Sequence, residues 1–299
     1  MQVGFIGLGS MGAPMAAHLI KAGHTLYLRD TGKIPPDLVA AGGKACASGT
    51  EVARQAEVII IMVPRTPDVA DVLFGPDGVA SGLSAGKTVV DMSSTSPFGT
   101  KEFAARINAL GCDYLDAPVS GGDVGARNAS LAIMVGGPQA AFDRVKPLFE
   151  LMGKNINLVG GNGDGHTTKL ANQIIVGGTM VAVAEALHFA ARAGADPAAV
   201  RRALMGGFGD SKILDLHGQR MIERDFVPGG PAAYQLKDMR TAQDFADKMG
   251  VHLTLLPTLI DIFGELIGRQ GTGFDVAAVL IEVERRSHNS PSGNEKDAK

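Results

Sequence analysis

Short runs of apolar residues alternate with segments of helical character through the first half of the chain. The runs, each bounded by turn residues, are Val3–Ile6, Thr25–Arg29, Glu57–Val63, Thr88–Met92, Tyr114–Val119 and Leu131–Val135. Strands of this kind, separated by helices, are typical of a doubly wound, mostly parallel sheet with helices on both faces. Ligands of such sheets bind beyond the carboxyl ends of the strands, so the loops that follow the strands are the candidates for a functional site.

The apolar pattern changes after position 166, where strand-like runs give way to helical periodicity. From about Thr167 to Ala193, apolar residues lie on nearly every side of one long predicted helix, which is typical of a helix that becomes buried. Gly194 is placed to end this helix, and the Asp196–Pro197 pair is placed to begin the next. A helical domain of about 120 residues would struggle to cover the long helix alone, so we expect a homodimer or a homotetramer.

These changes divide the chain into four segments. They are an α/β domain at 1–163, an interdomain helix at 164–193, an all-helical C-terminal domain at 194–286 and a disordered tail at 287–299. The tail is assigned because its polar sequence contains Pro, Gly and charges without periodicity.

Composition argues against several classes of partner. The 299 residues are 45% hydrophobic and carry a formal net charge of −3, which provides material for two cores but no basic field for nucleic acid or an anionic membrane. The sequence has no uninterrupted apolar run of about 18 residues, and its N-terminus lacks the basic leader of a signal peptide. Cys46 and Cys112 are too few for a disulfide framework. We therefore expect a cytoplasmic protein.

The first strand runs directly into a glycine-rich turn with glycines at positions 7, 9 and 12. In a dinucleotide-binding loop the first glycine permits a tight turn, the second lets the backbone approach a pyrophosphate, and the third lets the helix pack close to the strand. The helix that follows then points its N-terminus at the anion. The spacing predicts a Rossmann-type domain, with these candidates for cofactor binding: Gly7, Leu8, Gly9, Ser10, Met11 and Gly12.

The second strand ends at Asp30, near the position where an acidic residue binds the adenosine ribose. A carboxylate there accepts hydrogen bonds from both ribose hydroxyls and repels the 2′-phosphate of NADP, so NAD is favoured. A cap for the following turn is the alternative role of Asp30. Because Arg29 and Lys33 could neutralise a 2′-phosphate, NADP stays open.

Five motifs in order along the chain resemble the β-hydroxyacid dehydrogenase family, which includes 3-hydroxyisobutyrate dehydrogenases and tartronate semialdehyde reductases. They are FIGLGSMGAPMAAHLIKAGH from Phe5, VDMSS at 90–94, DAPVSGG at 116–122, KLANQ at 169–173 and YQLKD at 234–238. The resemblance covers residue 1 to about 286. It implies an oxidoreductase that transfers hydride between NAD(P) and a small 3-hydroxy acid or its semialdehyde.

Lys169 is the candidate catalytic residue, and the resemblance implies that it is the acid/base. Oxidation of an alcohol requires the hydroxyl proton to leave, and the reverse reduction requires its return. Burial and a nearby cationic nicotinamide would both lower the pKa of a lysine, which favours base catalysis. A lysine on a helix is more often a solvated charge, but this helix is almost wholly apolar and a charge there needs a reason.

Asn172 and Gln173 follow Lys169 by three and four positions, so all three project from one helical face. The resemblance implies that amides here orient the lysine and contact substrate. Hydrogen bonding within a helix–helix interface is the alternative.

Ser120, Gly121 and Gly122 offer a hydroxyl and unobstructed backbone N–H groups, which suit a small carboxylate. The resemblance implies that this turn grips the substrate carboxylate, and that Ser94 lies near substrate and nicotinamide. An ordinary loop and an ordinary turn residue are the alternatives.

Three further residues match positions near the cofactor. The resemblance implies that Lys237 reaches the cofactor from the helical domain and that Pro64 and Arg65 lie along the dinucleotide. For Lys237 the alternative is a surface lysine beside Asp238, and for Arg65 it is a solvent-facing charge.

The chain departs from the family pattern after RDFVPGG, where Pro231, Ala232 and Ala233 replace the usual aromatic and basic residues. This puts recognition of the far end of the substrate in doubt. Candidate lining residues in the GGFGDSK segment are Phe208, Asp210, Ser211 and Lys212, although its glycines also suit a flexible helix boundary.

The histidines show no metal-ligand spacing, so no metal site is predicted and core or surface roles are expected for them, His166 included. Two other functions are considered. One is an imine reductase of related architecture, and the other is an inactive dinucleotide-binding assembly module. Members of both groups lose the lysine that this chain retains.

Overall fold

A computed structural model describes residues 1–288, which form two compact units, one of Met1–Lys169 and one that begins at Leu170. The first unit contains the sheet predicted from the apolar runs. Its strands are β1 (Gln2–Ile6), β2 (Thr25–Arg29), β3 (Lys44–Ala45), β4 (Val58–Ile61), β5 (Thr88–Asp91), β6 (Asp113–Asp116), β7 (Val119–Ser120), β8 (Leu131–Gly136) and β9 (Gly153–Gly160). Its helices are α1 (Gly12–Lys21), α2 (Pro36–Ala40), α3 (Gly49–Gln55), α4 (Thr66–Phe74), α5 (Pro97–Asn108), α6 (Gly122–Arg127) and α7 (Gln139–Glu150), with a 3-10 turn at Val79–Gly82.

The first six strands are all parallel and lie in the order β3-β2-β1-β4-β5-β6. This order is that of dinucleotide-binding sheets, so the predicted fold class is confirmed. Strand β8 then runs antiparallel to β6 and to β7, and it pairs in parallel with β9.

Successive side chains of the central strands pack into two separate cores. Ile60 belongs to one hydrophobic cluster, whereas its neighbours Ile59 and Ile61 belong to the other. Because side chains alternate across a strand, the two clusters lie on opposite faces of the sheet. Burial on both faces explains why these strands are continuous apolar runs.

The sheet differs from the prediction at three places. The run Tyr114–Val119 contains parts of two strands instead of one, because Ala117 and Pro118 separate β6 from β7, and each of these strands pairs with β8. Strands β3 and β9 were not predicted. Both residues of β3 are exposed, and Gly153 is the only buried residue of β9, so neither strand has a run of apolar residues.

The second unit is helical, as predicted. Helix α8 (Asp164–Arg192) starts in the first unit and continues into the second, which also contains α9 (Pro197–Leu204), α10 (Lys212–Glu223), α11 (Ala232–Lys248), α12 (Leu256–Gln270), a 3-10 turn at Val276–Ala278 and α13 (Val279–His288). Asp196 caps α9 by accepting hydrogen bonds from the backbone N–H groups of Ala198 and Ala199. Of the predicted tail, Ser287 and His288 belong to α13, and positions 289–299 lie outside the described residues. The domain boundaries stay a prediction.

Helix α8 is not buried on every side within this chain. Ile175 and Phe189 are 69% and 76% exposed, as expected for a long apolar helix that one helical domain cannot cover alone. Its apolar pattern cannot show whether a residue is covered by the same chain or by something else. By length and composition this helix could also cross a membrane, but core helices of soluble proteins pass the same test, so the observation is weak evidence.

The first turn of α8 lies directly against the ends of two strands. A Cβ at Gly165 would lie 2.5 Å from the carbonyl oxygen of Asp116 and 2.6 Å from that of Met134. These are backbone atoms of β6 and β8, which cannot move aside cheaply. Only glycine therefore permits this approach.

We expect Gly165→Ala to lower the free energy of unfolding by about 1–3 kcal/mol through overpacking. Gly264→Ala on α12 is the control, because a Cβ there meets no heavy atom within 4 Å and alanine favours a helix interior by up to about 1 kcal/mol. Denaturant unfolding followed by circular dichroism measures both. Equal stability of the two variants would contradict the close approach.

Candidate active site

The glycine loop between β1 and α1 contains two glycines that the fold requires. Gly7 has φ +94°, and a Cβ there would lie 2.2 Å from the Met62 carbonyl oxygen. A Cβ at Gly12 would lie 2.0 Å from the carbonyl oxygen of Gly7. These two glycines therefore allow the turn and the close packing of the helix.

Gly9 is different, because a Cβ built there meets no heavy atom within 4 Å. The loop thus leaves open space beside its second glycine, where a bound pyrophosphate would need to approach the backbone. This arrangement fits a dinucleotide. Leu8, Ser10 and Met11 complete the loop, and α1 begins at Gly12.

Asp30 lies against this loop at the end of β2. Its carboxylate accepts hydrogen bonds from the backbone N–H of Leu8 and, at 2.8 Å, from that of Gly32. The second contact is the turn cap considered as an alternative, and the first ties the carboxylate to the glycine loop. Arg29 donates to the Asp30 carbonyl oxygen, and Lys33 is exposed.

Arg65 has a local partner. Its guanidinium forms two hydrogen bonds with the Asp68 carboxylate, of 2.9 and 2.7 Å, and its side chain is 66% exposed. Pro64 directly precedes it, after β4. Arg65 and Asp68 thus form a solvent-facing ion pair in the first turn of α4, and contact of Pro64 and Arg65 with a dinucleotide stays a prediction.

Strands β5 and β6 end side by side. Their last residues, Asp91 and Asp116, are direct partners in the sheet register. Ser94 follows β5 and is half-buried, and Ser120 ends β7, four residues after β6. Beyond Ser120 the chain turns at Gly121 and Gly122, both exposed and both with positive φ.

Lys169 is 7% exposed and lies in the second turn of α8. Asp116 fixes the start of this helix, because its carboxylate oxygens accept the backbone N–H groups of Gly163 at 2.8 Å and of His166 at 3.0 Å. Since Asp116 ends β6, α8 starts at the carboxyl edge of the sheet. Lys169, Ser94 and the Ser120–Gly122 turn therefore belong to elements that meet at one edge.

A fully buried polar cluster at these strand ends, formed by residues distant in sequence, was not predicted. The His166 ring contacts the Ser93 carbonyl oxygen, and the Tyr114 hydroxyl donates to the Asp91 carboxylate at 3.1 Å. Burial raises the pKa of Asp116, and the nearby His166 and hydrogen bonds from backbone N–H groups offset this only in part. Burial also raises the pKa of Tyr114. The available signal was an aspartate at the end of each of the two apolar strands β5 and β6.

In the second unit, Gln173 forms an interhelical contact. Its amide nitrogen donates to Asp238 on α11 at 2.7 Å and to the Gln235 oxygen at 3.0 Å, and its oxygen accepts from Asn172 at 2.9 Å. Gln173 thus takes the structural role considered as an alternative, and its substrate contact stays a prediction. The ammonium of Lys237 lies 2.8 Å from the Asp238 carboxylate.

The residues of the GGFGDSK segment, which are candidates for lining the substrate site, form contacts with near neighbours in the sequence. Phe208 is fully exposed, Asp210 accepts the Gly206 N–H at 2.9 Å, and Ser211 caps α10 through the Leu214 N–H. Lys212 is the first residue of that helix.

The RDFVPGG loop precedes the point where the chain departs from the family pattern. Buried Asp275 holds this loop by accepting hydrogen bonds from the backbone N–H groups of Gly229 and Gly230. Burial alone would raise the pKa of Asp275, but the His217 ring 3.6 Å away and hydrogen bonds from backbone N–H groups outweigh burial and lower it.

Comparisons with known proteins match both units. Residues 2–161 match the model of the NAD-binding domain of 6-phosphogluconate dehydrogenase, and residues 163–282 match that of the NAD-binding region of NADP-dependent 3-hydroxyisobutyrate dehydrogenase. The 2-hydroxy-3-oxopropionate reductase of Escherichia coli K12 is 51% identical over 284 residues, 95% of this chain and 97% of that protein. A probable mitochondrial 3-hydroxyisobutyrate dehydrogenase-like protein of Arabidopsis thaliana is 37% identical over 97% of this chain and 87% of its own length.

A solved structure also aligns with nearly the whole chain. The 3-hydroxyisobutyrate dehydrogenase of Mycobacterium tuberculosis with L-serine has a TM-score of 0.84 and 30% identity, covering 94% of this chain and 98% of its own.

We expect Gly9→Ala to weaken NADH binding by about tenfold, or about 1.4 kcal/mol, because its Cβ would occupy the space left for the pyrophosphate. The melting temperature should not fall, since the new methyl group meets no protein atom. Fluorescence titration with NADH and thermal denaturation measure the two effects. Wild-type affinity in this variant would show that the cofactor does not approach the loop at Gly9.

Proposed function

The chain belongs to the β-hydroxyacid dehydrogenase family of NAD(P)-dependent oxidoreductases, and we propose that within this family it interconverts 2-hydroxy-3-oxopropionate and glycerate with Lys169 as the acid/base. The reductase that is 51% identical over 95% of this chain supports the choice of substrate. Relatives that are enzymes and that match nearly the whole chain also argue against the inactive module and against the imine reductase.

The observation that carries the proposal is the burial of Lys169 on the one helix that Asp116 fixes to the carboxyl edge of the sheet. A lysine that is 7% exposed loses most of its hydration, and burial of this kind brings the charged and neutral forms of an amine closer in free energy. Such a position suits a group that gains and loses a proton during turnover.

In this proposal, bound nicotinamide supplies or accepts the hydride at its C4 carbon. As glycerate is oxidised, the neutral amine of Lys169 takes the proton of the C3 hydroxyl while the C3–H electron pair leaves. In reduction the Lys169 ammonium donates that proton to the aldehyde oxygen. One proton and one hydride are thus exchanged in each direction.

The substrate carboxylate is proposed to bind Ser120, Gly121 and Gly122. The exposed glycines lack side chains that would shield their N–H groups, and the serine adds a hydroxyl donor. Ser94 follows the neighbouring strand end and is proposed to contact the substrate and nicotinamide. Asn172 and Gln173 are proposed to orient Lys169 or the substrate.

NAD is proposed as the preferred cofactor because the Asp30 carboxylate lies at the glycine loop, where it would repel a 2′-phosphate. Lys237, Pro64 and Arg65 are proposed to contact the cofactor, as the resemblance implies. Cys46 and Cys112 are buried free thiols, which supports a reducing compartment such as the cytoplasm.

Initial rates with NAD and with NADP test the proposal, using D- and L-glycerate, 3-hydroxyisobutyrate, 3-hydroxypropionate, 4-hydroxybutyrate, serine and threonate, and 2-hydroxy-3-oxopropionate with NADH. We expect the highest kcat/KM for 2-hydroxy-3-oxopropionate and glycerate. A higher kcat/KM for another acid would overturn the substrate assignment, and preference for NADP would overturn the role of Asp30.

We expect Lys169→Met to lower kcat by about 10²–10⁴-fold, the usual contribution of acid–base catalysis, while the NADH dissociation constant stays within about twofold. Lys146→Met is the control, since Lys146 is an exposed lysine paired with Glu150 on α7. A Lys169→Met enzyme with near wild-type kcat would exclude this lysine as the acid/base.

A homodimer or homotetramer is proposed because exposed apolar residues form one side of α8. Ile175 and Phe189 are fourteen residues apart, about four turns, and exposed Ala182 and Ala186 lie between them. A second copy of the chain would cover this stripe.

We expect the purified protein to be at least dimeric at micromolar concentration and Phe189→Ser to shift it toward monomer, because the change removes the most exposed apolar side chain of the helix. Light scattering coupled to size exclusion measures the mass. Val227→Ser is the control, because Val227 is also an exposed apolar residue but does not lie on α8. A monomeric wild-type protein would refute the proposal.

A further inference from the structure

We propose that His166 is a positioning residue. Its ring holds the Ser93–Thr95 loop at the start of α8 and thereby fixes the position of Ser94 relative to Lys169. The inference deepens the proposed function and rests on it. His166 is fully buried and lies one helical turn before Lys169. Its spacing in the sequence predicts only a core or surface role.

The imidazole contacts residues on both sides of Ser94. Its Nε2 lies 2.9 Å from the Ser93 carbonyl oxygen and 3.2 Å from the Thr95 hydroxyl oxygen. A carbonyl oxygen can only accept a hydrogen bond, so Nε2 carries a proton and donates it. The ring therefore holds the loop by its backbone at the residue before Ser94 and by a side chain at the residue after it.

The other ring nitrogen contacts a third element. Nδ1 lies 2.7 Å from the Thr100 hydroxyl oxygen on α5, and that hydroxyl lies 3.0 Å from the Ser96 carbonyl oxygen. Both ring nitrogens thus have partners, and the ring cannot rotate without losing contacts on two elements. Buried hydrogen bonds of this kind fix a side chain in one orientation.

Two strand-end carboxylates hold the segments that His166 joins. Asp91 accepts the Ser93 N–H at 3.0 Å and the Tyr114 hydroxyl at 3.1 Å. Asp116 accepts the backbone N–H groups of Gly163 and His166. Carboxylate oxygens of Asp91 and Asp116 lie 3.9 and 3.7 Å from the ring nitrogens, beyond hydrogen-bond distance. Each carboxylate therefore fixes one segment, and the ring connects the two.

The connection matters for catalysis because proton transfer requires an acid/base held at hydrogen-bond distance from the reacting oxygen. The ring acts through Lys169 and Ser94 and does not itself touch substrate. Its loss should lower the rate of the chemical step more than cofactor affinity. A merely structural histidine would lower stability alone.

The decisive variants are His166→Asn, Thr100→Val and Thr100→Ser. We expect His166→Asn and Thr100→Val to lower kcat by at least about tenfold, or about 1.4 kcal/mol, with the NADH dissociation constant within about twofold. The primary isotope effect with glycerate deuterated at C3 should rise as hydride transfer becomes rate-limiting. Thr100→Ser keeps the hydroxyl and should restore most of kcat.

Thr50→Val is the matched control, because Thr50 is also buried and its hydroxyl donates to a backbone carbonyl, that of Gly78 at 2.9 Å. It should lower stability as Thr100→Val does, without changing kcat or the isotope effect. If Thr100→Val behaves like Thr50→Val in every kinetic readout, the inference is overturned. Should His166→Asn fail to fold, the three threonine variants decide the question.

A second readout separates this inference from the proposed function. In protein labelled with ¹³Cε-lysine, the Lys169 signal, assigned with Lys169→Met, should move in Thr100→Val and stay in place in Thr50→Val. This measurement needs no turnover. Wild-type inactivity toward every acid tested would overturn the proposed function, whereas an unmoved Lys169 signal in Thr100→Val would overturn the positioning role.

Discussion

The start of α8 can lie at the carboxyl edge of the sheet only because a buried carboxylate there accepts backbone N–H groups and a glycine leaves room for close packing. Asp116 accepts two backbone N–H groups from the beginning of the helix, and Gly165 lets the helix approach within the distance that a Cβ would forbid. The helix N-terminus would otherwise leave buried N–H groups without partners, which is costly. The location of Lys169 follows from these contacts, since the helix backbone is rigid over the one turn that separates it from His166.

The sequence predicts those strands and helices whose burial produces a clear pattern of apolar residues. Strand β4 is apolar throughout because both of its faces are covered, and α9 begins where Asp196 and Pro197 predict. Strand β9 has only one buried residue, so its sequence lacks the signal. The apolar pattern of a segment reflects the burial of that segment's side chains. An edge strand held mainly by backbone hydrogen bonds therefore has no run of apolar residues by which it could be predicted.

The candidate site divides in the same way. The glycine loop and Lys169 could be found from sequence, because spacing and the contrast of one charge with an apolar helix are local properties. The cluster of His166, Asp91 and Asp116 could not be found, since its members are brought together across 25 to 75 positions of chain by the strand register. The partners of Gln173 on α11 were hidden for the same reason.

The buried acids of the two units have opposite linkage to protons. The folded state raises the pKa of Asp116, so the unfolded chain releases this proton more readily and ionisation of Asp116 opposes folding above the ordinary aspartate pKa of about 4. The pKa of Asp275 is lowered, so its contribution to stability is present above about pH 4 and is lost as the pH falls below it. In strong acid, protonation of Asp116 therefore relieves an electrostatic penalty at the sheet edge, whereas protonation of Asp275 weakens its hold on the RDFVPGG loop.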